Sequence, residues 1–106
     1  HGGAVVFEEA AGRDFAEAFG QYRAAIHQNH GHFTVGASVD EAVFWFVCFE
    51  RCAQAQLAAM AAGTPKHIPH DSAVYTREQA GNAMTGWAHF QPLWQEICRT
   101  DPELFD

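Results

Sequence analysis

The chain has no run of Lys or Arg. Six basic side chains stand against 13 acidic ones, for a net charge of −7. A surface of that sign repels a phosphate backbone and an anionic membrane alike, so neither nucleic acid nor a membrane is an expected partner. Long hydrophobic stretches are also missing. The longest unbroken apolar run, Ala42 to Phe49, falls far short of the ~20 residues that cross a bilayer. The first residues lack the charged-then-apolar pattern of a secretory leader. They also lack an initiator Met, and the natural N-terminus is expected to lie upstream of His1. No His-Glu-x-x-His, Cys-x-x-Cys, phosphate-binding Gly-rich loop or nucleophile elbow is present, and there is no internal repeat.

Cysteine is scarce and odd in number. Of the three, Cys48 and Cys52 lie four apart in a helical stretch, a geometry unsuited to a disulfide. Reduced thiols in a cytoplasmic protein are the expectation. What the chain does have is apolar and aromatic mass: 48 % hydrophobic and 13 % aromatic residues in 106. That is enough for one folded domain and too rich for a disordered segment. So many aromatics in so short a chain also imply surfaces that another segment or subunit covers.

Ala4 to Phe7 reads as a short strand. From Glu8 to Phe19, apolar Ala11, Phe15, Ala18 and Phe19 recur at helical spacing until Gly20 stops the helix. Tyr22 to Gln28 and His32 to Val35 read as strands, forming either a hairpin or one strand bent at Gly31. Ser38-Val39-Asp40-Glu41 is a capping box, predicting a helix that runs to about Ala62 before Gly63 and Pro65. The first half of that helix is apolar on every side, which predicts cover on nearly every side. Thr64 to Ser72 reads as a linker, and a last helical region begins near Thr76, with Gln79 as its capping-box partner. Trp87, Phe90, Leu93, Trp94 and Ile97 form one broad apolar face there, and Pro92 either kinks that helix or starts another.

Histidine is the residue type most able to carry chemistry here, as metal ligand or proton shuttle. His27, His30 and His32 are a candidate ligand cluster gathered on one face of an extended segment, although Gly31 and the turn-forming Asn29 oppose a straight strand. His67 and His70 lie in the proline-bearing linker, where a solvated connection explains them. His89 falls away from the apolar stripe of the last helix, at the surface. Asp40 and Glu41 sit in a helix's first turn, which accounts for both without catalysis.

Gln28-Asn29-His30-Gly31, then Thr34-Val35-Gly36 and Val39-Asp40-Glu41-Ala42, resemble the class II aldolase/adducin family. The resemblance continues through Trp45-Phe46, Glu50-Arg51-Cys52, Gln54 and Gln56-Leu57 to Gly86-Trp87 and Phe90-Gln91-Pro92-Leu93. It implies that residues 1–106 are the C-terminal portion of a single three-layer α/β/α domain around a mostly antiparallel sheet. Catalytic members hold a divalent metal, usually zinc, with three histidines, one of them in the Asn-His-Gly motif. Carried over, that ligand is His30. The other two ligands, the general acid/base and the phosphate-binding loops are expected upstream, so no catalytic or cofactor-binding residue is assigned here and the chain alone is expected to be inert. The resemblance further implies a homo-oligomer, commonly a tetramer, and a small-molecule substrate: a sugar phosphate or related hydroxy-carbonyl compound cleaved in an aldolase- or epimerase-like reaction. Adducin-like members instead keep the fold as a non-catalytic binding or scaffold domain. His32 stands where many relatives carry an apolar residue.

Overall fold

The computed structural model describes residues 6–106. Seven elements follow one another: α1 (Glu9–Phe19), β1 (Ala24–His27), β2 (Gly31–Thr34), α2 (Val39–Ala62), α3 (His70–Ala80), α4 (Ala83–Thr100) and a closing 3₁₀ turn (Pro102–Phe105). Of the strand expected at Ala4 to Phe7, Val6 and Phe7 carry no regular structure, and the first two positions lie outside the described residues.

Helix ends follow local chemistry. Gly20 stops α1 at φ 57°, a left-handed conformation that glycine adopts without steric cost, and its N–H donates to Ala16 O at 3.0 Å. Ser38 Oγ caps α2 by accepting from Glu41 N at 3.2 Å, and Gly63 N donates to Ala59 O at the other end. The 24-residue helix between those caps is unbroken. Only half of the capping box forms, however. The Glu41 carboxylate passes over the Ser38 N–H and accepts from Ala37 N instead, at 2.7 Å.

Two expectations about the C-terminal third are corrected. The segment read as linker is already helical from His70, so α3 starts six residues before Thr76. Thr76 caps nothing; its Oγ1 donates to Ser72 O, one turn back in the same helix. The real break comes at Gly81 and Asn82. A Cβ at Gly81 would lie 2.5 Å from Arg77 O, and Asn82 joins the two helices by donating to Gln79 O and accepting from Thr85 N, each at 3.0 Å. Helix α4 then runs continuously through Pro92, with Gln91 Nε2 donating to Trp87 O at 3.2 Å in the turn that proline disturbs.

The two strands pair as an antiparallel hairpin with Ala24 opposite Thr34, Ala25 opposite Phe33, Ile26 opposite His32 and His27 opposite Gly31. Side-chain alternation gives it two faces. Phe33 and His27 meet Phe15 of α1, with ring centroids 5.0 and 5.7 Å away. On the other face His32 stacks on Phe46 of α2 at 3.9 Å, and Thr34 Oγ1 donates to Ala42 O at 2.8 Å. Helix α4 packs on α2. The result is an α/β arrangement in helix–sheet–helix layers.

The packing is open. The radius of gyration is 16.8 Å, against about 13 Å for a compact chain of this length. Phe19 is the one buried hydrophobic side chain among the described residues. Of the apolar face of α4, Trp87 and Leu93 are half exposed, and Leu57 and Met60 of α2 are also open.

A glycine of α4 lies close against α2. A Cβ on Gly86 of α4 would stand 2.9 Å from Glu41 Cα and 3.3 Å from its Cβ and Cγ. At Gly12 of α1, by contrast, a Cβ would meet only Val6 Cγ1, at an ordinary 3.7 Å. Helix propensity favours Ala over Gly by about 1 kcal/mol, whereas forcing a methyl into a closed contact costs about 1–3 kcal/mol. In the polypeptide that carries this chain, Gly12→Ala should therefore stabilise slightly. Gly86→Ala should destabilise, by on the order of 1–2 kcal/mol. Urea midpoints of the two variants check the opposite signs.

Candidate functional site

The tip of the hairpin is a β-turn. His30 N donates to His27 O at 3.1 Å, and Asn29, the third residue of the turn, has φ 60°. A type II turn needs positive φ at that position, and Asn tolerates it better than any residue except Gly. The Asn in Asn29-His30-Gly31 is thus what lets the chain reverse. The turn leaves the His30 imidazole exposed at the edge of the hairpin, its ring nearly parallel to Phe33 at 5.8 Å and tilted against His27 at 5.4 Å.

The three-histidine cluster does not form on one face. An odd spacing separates His27 from His30 along the chain, so even a straight strand would split them; the turn is what reunites these two. His32 goes the other way. Although His30-Gly31-His32 has the spacing that a straight strand would place on one face, His32 turns toward α2, between Phe46 and Phe49, with Nδ1 3.9 Å from Glu50 Oε2 and a buried Nε2 that has no hydrogen-bond partner among the described residues. His67 and His70 are exposed, His70 as the first residue of α3. His89 is exposed as expected, with its ring 5.2 Å from Phe44. Cys48, Cys52 and Cys98 are free thiols, and burial pushes the Cys48 thiol pKa up.

Glu41 is more than the helix-start residue that its position suggests. Only 1 % of its surface is exposed, and its carboxylate collects three donors: Ala37 N at 2.7 Å, Trp45 Nε1 at 3.2 Å and Arg23 Nη1. The Arg23 guanidinium also lies 5.7 Å from the Trp45 ring centre. The Ala37 N–H above all, then the Trp45 and Arg23 donors and the Arg23 charge, hold the Glu41 carboxyl below the usual carboxylate range against the opposing effect of burial. This pair ties the start of β1 to the first turn of α2 and so fixes the hairpin whose far end carries His30. Sequence reading missed it because Arg23 and Glu41 are 18 positions apart. The signal that was available is a pair of acids, Asp40 and Glu41, opening an otherwise apolar helical run.

A cleft of about 850 Å³ lies beside that ion pair, lined by Gln21, Tyr22, Arg23, Trp45, Arg77 and Gly81. It is at the end of β1 remote from His30.

Residues 3–57 match the model of the Class II Aldolase and Adducin N-terminal domain. The chain belongs to the class II aldolase and adducin family. Among its class II aldolase-like relatives, the decarboxylase NovR of Streptomyces niveus is 37% identical over 94% of this chain and 37% of its own length. The 4-hydroxy-3-prenylphenylpyruvate oxygenase/4-hydroxy-3-prenylbenzoate synthase of Streptomyces roseochromogenus subsp. oscitans is 35% identical over 94% of the chain and 36% of its own length. The structure of L-fuculose 1-phosphate aldolase from Glaciozyma antarctica PI12 superposes with a TM-score of 0.80 at 35% identity, covering 93% of this chain and 39% of that one. The chain therefore spans little more than a third of the relatives it matches.

Class II aldolases generally use a divalent metal such as zinc. Among the described residues, no three His, Cys, Asp or Glu side chains converge as a metal cluster, and a catalytic zinc site ordinarily takes three protein ligands. His30 is a donor of the right type and is accessible, so this segment fits as a contributor to such a site and not as its whole.

Glu41→Ala should cost about 3 kcal/mol, since it leaves the Trp45 and Ala37 N–H groups without their acceptor. Arg23→Ala should cost less, because the Ala37 and Trp45 N–H groups still satisfy the Glu41 carboxylate and the half-exposed position of Arg23 lets water take the place of the guanidinium. A lowered folded-state pKa makes the Glu41 contribution full above the ordinary carboxyl value of about 4.3 and lost as pH falls through the lowered value. Denaturation profiles of the natural protein and of Glu41→Gln should diverge above pH 4 and converge below it.

Proposed function

We propose that the polypeptide carrying this chain is a divalent-metal-dependent lyase of the class II aldolase type, in which His30 is one of the imidazoles that hold the metal. The observation that carries this reading is the hairpin tip itself: an exposed imidazole on a type II turn, in the Asn-His-Gly setting, on a scaffold similar throughout to that of an aldolase. Zinc is among the metals that this donor type suits.

The reaction class follows from the relatives. The names aldolase and decarboxylase both describe breaking a carbon–carbon bond. The metal, when bound, withdraws electrons from a carbonyl or hydroxy-carbonyl unit and stabilises the charge left as that bond breaks. The chain's own share is positional. Asn29 sets the bend, Gly31 keeps a side chain away from the turn, Phe33 and His27 flank the imidazole, and Glu41 with Arg23 holds the far end of the hairpin against α2. The substrate is a small hydroxy-carbonyl compound, with sugar phosphates as the leading class.

The exposed apolar residues of α2 and α4, Leu57, Met60, Trp87 and Trp94 among them, are the surface on which further parts of the domain and further copies would pack. This supports a homo-oligomer of the tetrameric kind. The free cysteines fit a reducing, cytoplasmic setting.

His30→Ala should abolish bound metal and activity while leaving the circular dichroism spectrum unchanged, because an exposed side chain contributes little to packing. His67→Ala and His89→Ala should keep both metal and activity. Elemental analysis of the three purified variants decides the matter. A full complement of metal in His30→Ala, or none in the natural protein, would overturn the metal-lyase reading in favour of a binding domain of the adducin kind.

A further inference from the structure

The β-turn that presents His30 brings a second imidazole to it. His27 and His30 are the first and fourth residues of that turn, closed by the 3.1 Å His30 N to His27 O hydrogen bond, and their ring centroids are 5.4 Å apart with planes inclined by 56°. Two imidazoles bound tetrahedrally to one zinc through Zn–N bonds of about 2.0–2.1 Å hold their centroids roughly 5 Å apart. The observed pair is already at that separation. Among the described residues no hydrogen bond engages either ring, so the nitrogen lone pairs are not committed elsewhere.

The surroundings favour a fixed pair. His27 is half-buried, with Phe15 5.7 Å and Phe33 6.1 Å from its ring centre. Phe33 also flanks His30, at 5.8 Å. These neighbours are apolar and compete for no donor, while they limit the rotamers open to both imidazoles. A pre-positioned pair loses less side-chain entropy on taking up a cation than two free histidines would.

We infer that His27 is a second imidazole donor to the cation held by His30, making the turn a two-point metal clamp. This rests on the reading of His30 as a ligand and extends it to a residue that the Asn-His-Gly motif does not contain. Water or donors from beyond this segment complete the coordination.

Zn²⁺ alone is the probe, titrated calorimetrically into the metal-stripped polypeptide that carries this chain. His27→Leu preserves the apolar contacts with Phe15 and Phe33, and His27→Gln preserves polarity, so at least one should retain the native melting temperature. The clamp predicts at least a roughly tenfold weaker Zn²⁺ affinity in the folded variant. With Cu²⁺ in place of zinc, the electron paramagnetic resonance spectrum should lose the hyperfine contribution of one nitrogen. Affinity within twofold of the natural protein and an unchanged nitrogen count would overturn the proposal. If His30→Ala meanwhile loses binding, the ligand role of His30 survives and only that of His27 fails. If neither substitution affects affinity, both readings fail together.

Discussion

A single carboxylate in the first turn of α2 organises the contacts that matter here. Glu41 is buried, and burying a charge is costly unless it is paired and hydrogen-bonded. It meets that condition by drawing on three parts of the chain: the loop before α2 through Ala37, the helix itself through Trp45, and the start of β1 through Arg23. Helix α4 closes over it with Gly86, where an added Cβ would push the two helices apart. The hairpin, the long helix and the C-terminal helix are therefore located with respect to one another by one ionised group. The apolar contacts around it are open by comparison, with Phe19 as the one buried hydrophobic side chain among the described residues.

What was legible in the sequence is what local chemistry determines. Gly20, Ser38 and Gly63 mark helix ends because the caps they form involve residues within one turn, and all three ends fall where those residues put them. The hairpin was legible as one of two alternatives, since a short polar turn between apolar runs admits little else. The family was legible because its motifs are short and contiguous. The start of α3 was not. His70 to Thr76 carries no strong apolar period, and the prolines before it resemble linker chemistry as much as a helix start. The faces of His27, His30 and His32 depended on turn type, which the sign of φ at Asn29 decides. The Arg23–Glu41 pair is long-range, and only packing reveals it.

The site shows the same division. Within Asn29-His30-Gly31 the Asn and the Gly serve the backbone, and the exposed His30 is the side chain left free for chemistry. His32 has a similar spacing and a different fate: two aromatic rings of α2 enclose it. Identical residue types two positions apart thus belong to different environments, one solvent-facing and one in the sheet–helix interface. The division follows from the pleat of β2 and the curl of the turn before it.

The approach of Gly86 to Glu41 bears on the order in which the chain acquires its shape during synthesis. Translation delivers Arg23 and Glu41 well before α4, at about 5–20 residues per second, so the carboxylate spends several seconds with water where α4 will later lie. An ion pair open to water holds its partners weakly. The hairpin is then anchored loosely until α4 emerges and seals the contact. Asn29-His30-Gly31 is made early and fastened late, and the segment that fastens it lies more than fifty residues downstream.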